Sequence, residues 1–442
     1  MTIESLDQGL STWPVSRDCL FSSRGVWTIG DLRDRAADLR ERSRIVTGGR
    51  IALCGLDQGE FIEAITAFDG MASTMVLLPR SLDASTRDEL IRLAGCTHRL
   101  DGAQRSLIAL DHAVDAIADP AVTRWVLSTS GTTGTPKLIA HTLASLSRTV
   151  KRDPQRGGDY HWGLLYDPSR FAGLQVVLQA LLGGSQLTLP AGDAFHDQVR
   201  SFVENPVNAL SATPSLWRKL LMDGRIRKQR LRQVTLGGEI ADQAILDALR
   251  QSFPTARLTH IYASTEAGSG FAVNDGLAGF PLDWIEREGG PIPMRLDNRG
   301  HLLVRPPIFA TGEAVMSRLD ESGYLDTEDL VTIQGDRVLF CGRASGAINV
   351  GGNKVNPEHV EQFLRTVPGI QDVKVYPKKS SVVGQLVAAD VVATDGEESS
   401  LLRRRILDQC RGVLESWQIP AVIRFVPDLA INAAGKVERR IR

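Results

Sequence analysis

Two periodicities alternate along the first three quarters of the chain. From Leu32 to Ser43 apolar residues recur every three or four positions, the spacing of one helix face, and residues 50–56 form a short apolar run of the kind that builds a buried strand. A helical pattern over 61–73 and a strand pattern over 74–79 follow. The grammar recurs as strand 161–166, helix 171–184, strand 185–190, helix 194–206 and strand 207–213. Strands separated by helices of this length predict a parallel sheet with helices on its faces. After about Gly279 the texture changes to Pro, Gly and short alternating stretches at 301–307, 324–333 and 336–342, which predict an antiparallel patch closing the larger domain. Beyond a small polar segment the chain adopts its own pattern: helix 357–365, strands 372–377 and 385–393, helix 400–415 and strand 421–427. A unit of this size can hold a modest core. The expected fold is α/β, with a large multi-subdomain N-terminal body of mostly parallel sheets flanked by helices (1–343), a hinge at 344–346 and a small mobile C-terminal α+β lobe (347–442).

Composition narrows the function. The chain has 442 residues, 43% hydrophobic and 23% charged, which excludes wholesale disorder and a coiled coil. Lys and Arg total 51 against 52 Asp and Glu, a net charge of −1, so no chain-wide field favours nucleic acid or an anionic membrane, and any anion site must be local. The five cysteines (Cys19, Cys54, Cys96, Cys341, Cys410) are scattered without a C-x-x-C pair, as expected of reduced thiols acting as small apolar fillers. The histidines show no H-x-x-H or H-E-x-x-H spacing, against a zinc site. An acidic amino terminus and the lack of an apolar run near 18 residues predict a soluble, cytoplasmic protein without membrane insertion. A basic run from Arg218 and Lys219 through Arg225, Arg227, Lys228, Arg230 and Arg232 has no interleaved aromatics; it predicts a solvated helical face rather than a nucleic-acid site, with CoA phosphates or an acidic carrier protein as other uses.

The most informative stretch starts from Trp125, where an apolar strand feeds Ser128-Thr129-Ser130-Gly131-Thr132-Thr133-Gly134-Thr135-Pro136-Lys137. Glycines let backbone approach a ligand, hydroxyls donate to phosphate oxygens and one lysine supplies a point charge. It is not a Walker A loop, because Pro136 precedes Lys137 and Leu138 follows it, where that loop demands Gly and a hydroxyl. By itself such a stretch is also consistent with a plain surface connection.

The context resembles the adenylate-forming superfamily of acyl-CoA synthetases, aryl-CoA ligases, carrier-linked adenylation domains and luciferases, whose loop is close to S-T/S-S-G-T-T-G-x-P-K. Leu138 departs from the usual Gly after the lysine. Further stations follow in the family's order. Leu236-Gly237-Gly238-Glu239 resembles the segment that backs adenine. Ile261-Tyr262-Ala263-Ser264-Thr265-Glu266 is similar to Y-G-x-T-E, with Ala263 in place of Gly. Tyr324 to Asp329 resembles Y-x-x-T-G-D, with Glu328 in place of Gly. Gly342-Arg343 and Ile348 to Glu358 resemble the hinge and first lobe motif, with Ser345 where Asp or Lys is common, and Asn432-Ala433-Ala434-Gly435-Lys436-Val437-Glu438-Arg439 is similar to N-x-x-G-K-x-x-R. The resemblance spans nearly the whole chain, which is shorter than most members before the phosphate loop.

That resemblance implies two half-reactions. A carboxylate resists attack because it already carries a negative charge; adenylation gives it a leaving group, and the protein's task is positioning and electrostatic stabilisation. The resemblance implies that Thr129, Ser130, Gly131, Thr132, Thr133, Gly134 and Lys137 hold the phosphates of ATP, that Thr265 bonds the α-phosphate and that Glu266 holds Mg²⁺. Gly237, Gly238, Glu239 and Tyr262 would flank adenine, the tyrosine by stacking, and Asp329 and Arg343 would meet the ribose. Lys436 would reach in from the small lobe to stabilise charge during adenylation, and a turn of that lobe would bring Gly351 and Gly352 to the thiol. Arg170, Phe171 and Gly173 fall in the acyl-pocket segment, where Arg170 would recognise a second polar group or stay in the interface with the small lobe. The leading reading is an AMP-forming acid–thiol ligase using ATP, Mg²⁺ and CoA on a small carboxylic acid. A rival passes the acyl group to a carrier-protein phosphopantetheine, and a second rival is a catalytically weak nucleotide-binding homologue.

Overall fold

The computed structural model describes residues 4–43, 48–102, 106–110, 122–129, 137–285, 290–308, 310–380, 384–432 and 435–437. Its body holds two sheets that are parallel in their centres. In one, the strands run in the order Ser106–Ala109, His98–Asp101, Arg50–Cys54, Thr74–Leu77, Arg124–Thr129 and Lys137–His141, with antiparallel pairs at both ends. In the other, the order is Gly268–Val273, Arg257–Ser264, Gln233–Gly237, Ala209–Ala212, His161–Gly163, Gln186–Thr188, Asp18–Ser22 and Gly25–Thr28, again antiparallel only at the ends. The expected helices fill the crossovers. Ile29–Ser43 buries Ile29, Leu32, Ala36 and Leu39, one stripe of the 3.6-residue period, and Phe171–Gly183 is apolar almost all round because it is buried between layers. Buried Asp69 accepts from the Leu6 amide at 2.7 Å and from Trp125 Nε1 at 2.9 Å, tying the amino terminus to the strand that feeds the phosphate loop.

A third sheet, wholly antiparallel, carries Phe280–Pro281, Arg337–Arg343, Leu325–Gln334, His301–Val304 and Met294–Leu296. It has its own core around Phe271, Phe280 and Leu325. A single turn over Ala344–Gly346 leads to a separate core built on Ile370–Ser380 and Gly384–Ala393 under the helices Pro357–Leu364 and Ser399–Val413. Among the described residues, no helix is long and apolar enough to cross a membrane.

The basic run is the clearest departure from expectation. It is not one helical face, because helix Pro214–Asp223 stops at Gly224, whose left-handed φ of 77° closes it, and a separate turn, Arg225–Lys228, follows. Nor is it wholly solvated: Arg218 is buried against Asp242 at 2.6 Å, and Lys219, Arg225 and Arg232 pair with Asp428, Asp223 and Asp159.

Two lobes meet along a charged seam. Asp242 on the body touches both Arg218 and, at 3.7 Å, Arg365 of the small lobe; Arg365 also holds Asp372 at 3.0 Å and Glu361 at 3.6 Å. Gln362 donates to the Phe340 carbonyl at 3.1 Å beside it.

Candidate active site

Thr129 and Lys137 stand opposite each other where the strands Arg124–Thr129 and Lys137–His141 pair. Ser130, Gly131, Thr132, Thr133 and Gly134 lie outside the described residues, between these two stems. A strand, not a helix, follows the loop, so no helix N-terminus supplies the positive field that a Walker A loop uses, and Lys137 is the cation that opens this strand. At the foot of the second stem His141 places Nε2 2.7 Å from the Thr265 carbonyl. A carbonyl only accepts, so Nε2 carries the proton; burial lowers the His141 pKa and favours this neutral form, against the opposing pull of Thr265 and Glu266. The phosphate-loop stem is thereby tied to the Thr265-Glu266 turn. Sequence reasoning missed His141, since a lone histidine at a strand end has no spacing to mark it.

Glu266 lies 3.8 Å from Arg318, which also stands 3.4 Å from Glu328. Glu328 has φ 61°, the one non-glycine residue at positive φ among the described residues. A Cβ there is strained, which explains why glycine suits this position in the related motif; the strain sits next to a carboxylate assigned to chemistry.

On the opposite rim, Tyr262 donates its hydroxyl to Asp329 at 2.6 Å, and Arg343 Nε donates to the other oxygen at 3.0 Å. Burial, and then the Asp329 charge, push the Tyr262 pKa well up, so the phenol stays a donor. Burial alone would lower the Arg343 pKa, but Asp329 beside it raises it. The Tyr262 ring, expected beside adenine, stacks on Phe271 at 5.1 Å and on Phe340 at 5.2 Å, within the aromatic core of the third sheet.

Lys436 and Gly238, 198 residues apart, are brought together. A Cβ on Gly238 would stand 3.4 Å from Lys436 Cε and 3.9 Å from Nζ. One side of Lys436 remains open to solvent, yet the enclosing lobes desolvate its ammonium and lower its pKa; Glu239 and Asp329 oppose this, while Arg343 and Arg170 add to it. Glu239, in the segment expected to back adenine, bonds to backbone amides of both lobes. One of its oxygens accepts from the Ser215 amide at 3.0 Å and the other from the Val437 amide at 3.1 Å.

Arg170 opens helix Phe171–Gly183, and its Nε is buried without a hydrogen-bond partner among the described residues. Asp167, the nearby carboxylate, is engaged by the Ser169 amide and hydroxyl. Phe171 packs on the core with its ring 5.7 Å from His141. Gly173 is required by packing: a Cβ would come within 2.2 Å of the Asp167 carbonyl. Gly351 and Gly352 form the turn between strands Ile348–Val350 and Asn353–Val355, on an exposed edge of the small lobe.

The donor set fits ATP with a hard divalent cation. Asp329 offers carboxylate oxygens for hydroxyls, Lys137, Arg343 and Lys436 offer cations for phosphate, and Glu266 offers an oxygen ligand. Beside Gly237 a Cβ would meet nothing nearer than the Ile261 carbonyl at 3.7 Å, leaving bare backbone open to a flat ring.

An α/β body with Asp329, Arg343 and Lys436 gathered where a small lobe packs against it is the architecture of an adenylate-forming enzyme. The AMP-binding enzyme family matches residues 39–307 and its C-terminal domain matches 359–436, and the chain belongs to that family. It is an AMP-forming acid–thiol ligase, using ATP to turn a carboxylic acid into an acyl-adenylate before transfer to a thiol. A probable 2-succinylbenzoate–CoA ligase of Mycobacterium tuberculosis (strain CDC 1551 / Oshkosh) is 29% identical over 333 residues, covering 71% of this chain and 82% of that protein. A 3,4-dihydroxybenzoate–[aryl-carrier protein] ligase of Bacillus anthracis is 24% identical over 422 residues, covering 93% and 95%. The fold matches that of the anthranilate CoA ligase AuaEII in complex with anthranoyl-AMP, with a TM-score of 0.79 at 16% identity over 99% of this chain and 96% of that one.

Proposed function

We propose that this ligase adenylates an aromatic carboxylic acid bearing a second polar group and passes the acyl group to CoA. The observation that carries the reading is Lys436 standing over Gly238, within electrostatic reach of the Asp329–Arg343 pair. Aromatic acids recur in the names of the relatives, and half-buried Arg170, its enclosed Nε unpartnered among the described residues, lies within electrostatic reach of Lys436. An Nε–H held out of water without an acceptor favours a ligand that supplies one.

The chain's residues divide the work. Lys137 and the hydroxyls of the loop hold the outer phosphates while Asp329 and Arg343 hold the ribose. Glu266 supplies an oxygen ligand for Mg²⁺, which when bound neutralises phosphate charge. Lys436 and Thr265 stabilise charge that grows on the α-phosphate as the acid attacks. The turn at residues 344–346 acts as the hinge that lets Gly351 and Gly352 face the thiol in the second step.

Acid-dependent exchange of labelled pyrophosphate into ATP across aliphatic, simple aromatic and polar-substituted aromatic acids tests the reading. Exchange should be strongest with the last group, and Arg170→Met should remove that preference; exchange with aliphatic acids alone would overturn it. A second reading, in which a carrier-protein phosphopantetheine replaces CoA, is favoured by the Bacillus anthracis relative, which matches this chain nearly end to end. Mass detection of the thioester with CoA, then with carrier protein, separates the two.

A further inference from the structure

The loop that carries Lys436 is gripped on both sides of the lysine. On one side Gly435, at φ 73°, lies so close to the body that a Cβ would come within 2.5 Å of Leu216 Cδ1, and its carbonyl accepts from the Thr213 hydroxyl. On the other side the Val437 amide donates to Glu239, whose second oxygen is anchored by the Ser215 amide. Thr213 caps helix Pro214–Asp223 and Glu239 follows the strand Gln233–Gly237, so both grips come from rigid elements of the body.

We propose that Glu239 is a positioning residue for adenylation, a tether that fixes the Lys436 loop onto the body for the first half-reaction and lets go for the second. This rests on the reading of Lys436 as the adenylation lysine. With Gly435 and Val437 both held, only side-chain torsions remain for Lys436, so its ammonium is placed before charge develops. Hydrogen bonds from amides to an ionised carboxylate are about twice as strong as neutral ones. When the small lobe turns, Glu239 loses the Val437 amide but keeps that of Ser215, so the anion is never left bare. The tether therefore favours one pose without barring the other.

The test compares Glu239→Ala, Glu239→Gln, Thr213→Val and Lys436→Ala in two assays: pyrophosphate exchange, and thioester formation from a presynthesised acyl-adenylate. Glu239→Ala should lower the exchange kcat about 10- to 100-fold, with the KM for ATP and the thioester rate within about threefold of the parent. Glu239→Gln, whose amide oxygen still accepts one bond, should recover part of the loss, and Thr213→Val should show a smaller loss confined to exchange. Equal loss of both half-reactions, unchanged exchange, or a raised KM for ATP at constant kcat would overturn the proposal; the last would return Glu239 to the nucleotide. If Glu239→Ala fails to fold, Glu239→Gln and Thr213→Val discriminate in the same way. Exchange that survives Lys436→Ala would bring down the underlying reading as well, whereas exchange lost in Lys436→Ala but intact in Glu239→Ala brings down the tether alone.

Discussion

The small lobe presents two glycine-bearing loops, and the body treats them oppositely. Gly435 to Val437 is pressed against the body and bonded there, while Gly351-Gly352 projects outward, with nothing within 4 Å of where a Cβ on Gly352 would lie. Both need glycine for backbone at positive φ, 73° at Gly435 against 57° and 95° in the exposed turn. The shared conformational demand leaves packing to distinguish them. One loop of the lobe is docked on the body; the other stands clear of it among the described residues.

The sharpest way to break that contrast is Lys436→Ala. It should reduce pyrophosphate exchange about 10²- to 10³-fold while thioester formation from presynthesised acyl-adenylate stays within a few-fold, because only the docked loop serves the first step. Next comes Arg365→Leu, which takes the cation from Asp372 and Glu361, and one of two from Asp242, in a setting where the arginine is only 12% exposed. Loss of one partner from such a network costs about 3–5 kcal/mol, readable by urea unfolding; a loss below about 1 kcal/mol would show that the seam contributes little. Gly352→Val is the mirror of Lys436→Ala. It imposes about 1–2 kcal/mol of left-handed strain on the outward turn, and should slow thioester formation about tenfold with exchange unchanged.

Acid should act on the body. Burial depresses the His161 pKa from 6.5 to about 4 beside Thr188, and His141 is depressed in the same direction. A histidine folded in its neutral form contributes stability above its unfolded pKa, and that contribution is lost as pH falls from 6.5 toward 4. Urea midpoints measured between pH 7 and 5 should therefore fall, and less steeply in His161→Gln. The smallest effect belongs to Glu328→Gly. Relief of strain at φ 61° offsets the greater unfolded-state freedom of glycine, and stability should stay within about 1 kcal/mol of the parent by thermal unfolding.

Much of the architecture was legible because period and composition are local properties. The apolar stripe of Ile29–Ser43 and the strand-helix alternation around Phe171–Gly183 predicted parallel sheets before any contact was known. Gly224 could have been taken as a helix stop, but the continuing run of arginines masked it. Motif spacing singled out Asp329, Arg343 and Lys436, since each is marked by neighbours in sequence, and the fold brings the three within electrostatic reach of one another. It could not show that Tyr262 spends its ring on Phe271 and Phe340, or that Glu239 reaches across to Val437, because those partners lie 9, 78 and 198 residues away and only the folded chain introduces them. His141 and Arg318 went unnoticed for the same reason.

The seam at Asp242 bears on how quickly the enzyme can cycle. Were the lobes to part there, Asp242 would retain Arg218, and Arg365 would retain Glu361 and Asp372, so every ion would still have company on its own side. Separation would forfeit one long-range attraction and uncover no orphan charge, which makes the joint a latch that a turnover can undo rather than a weld.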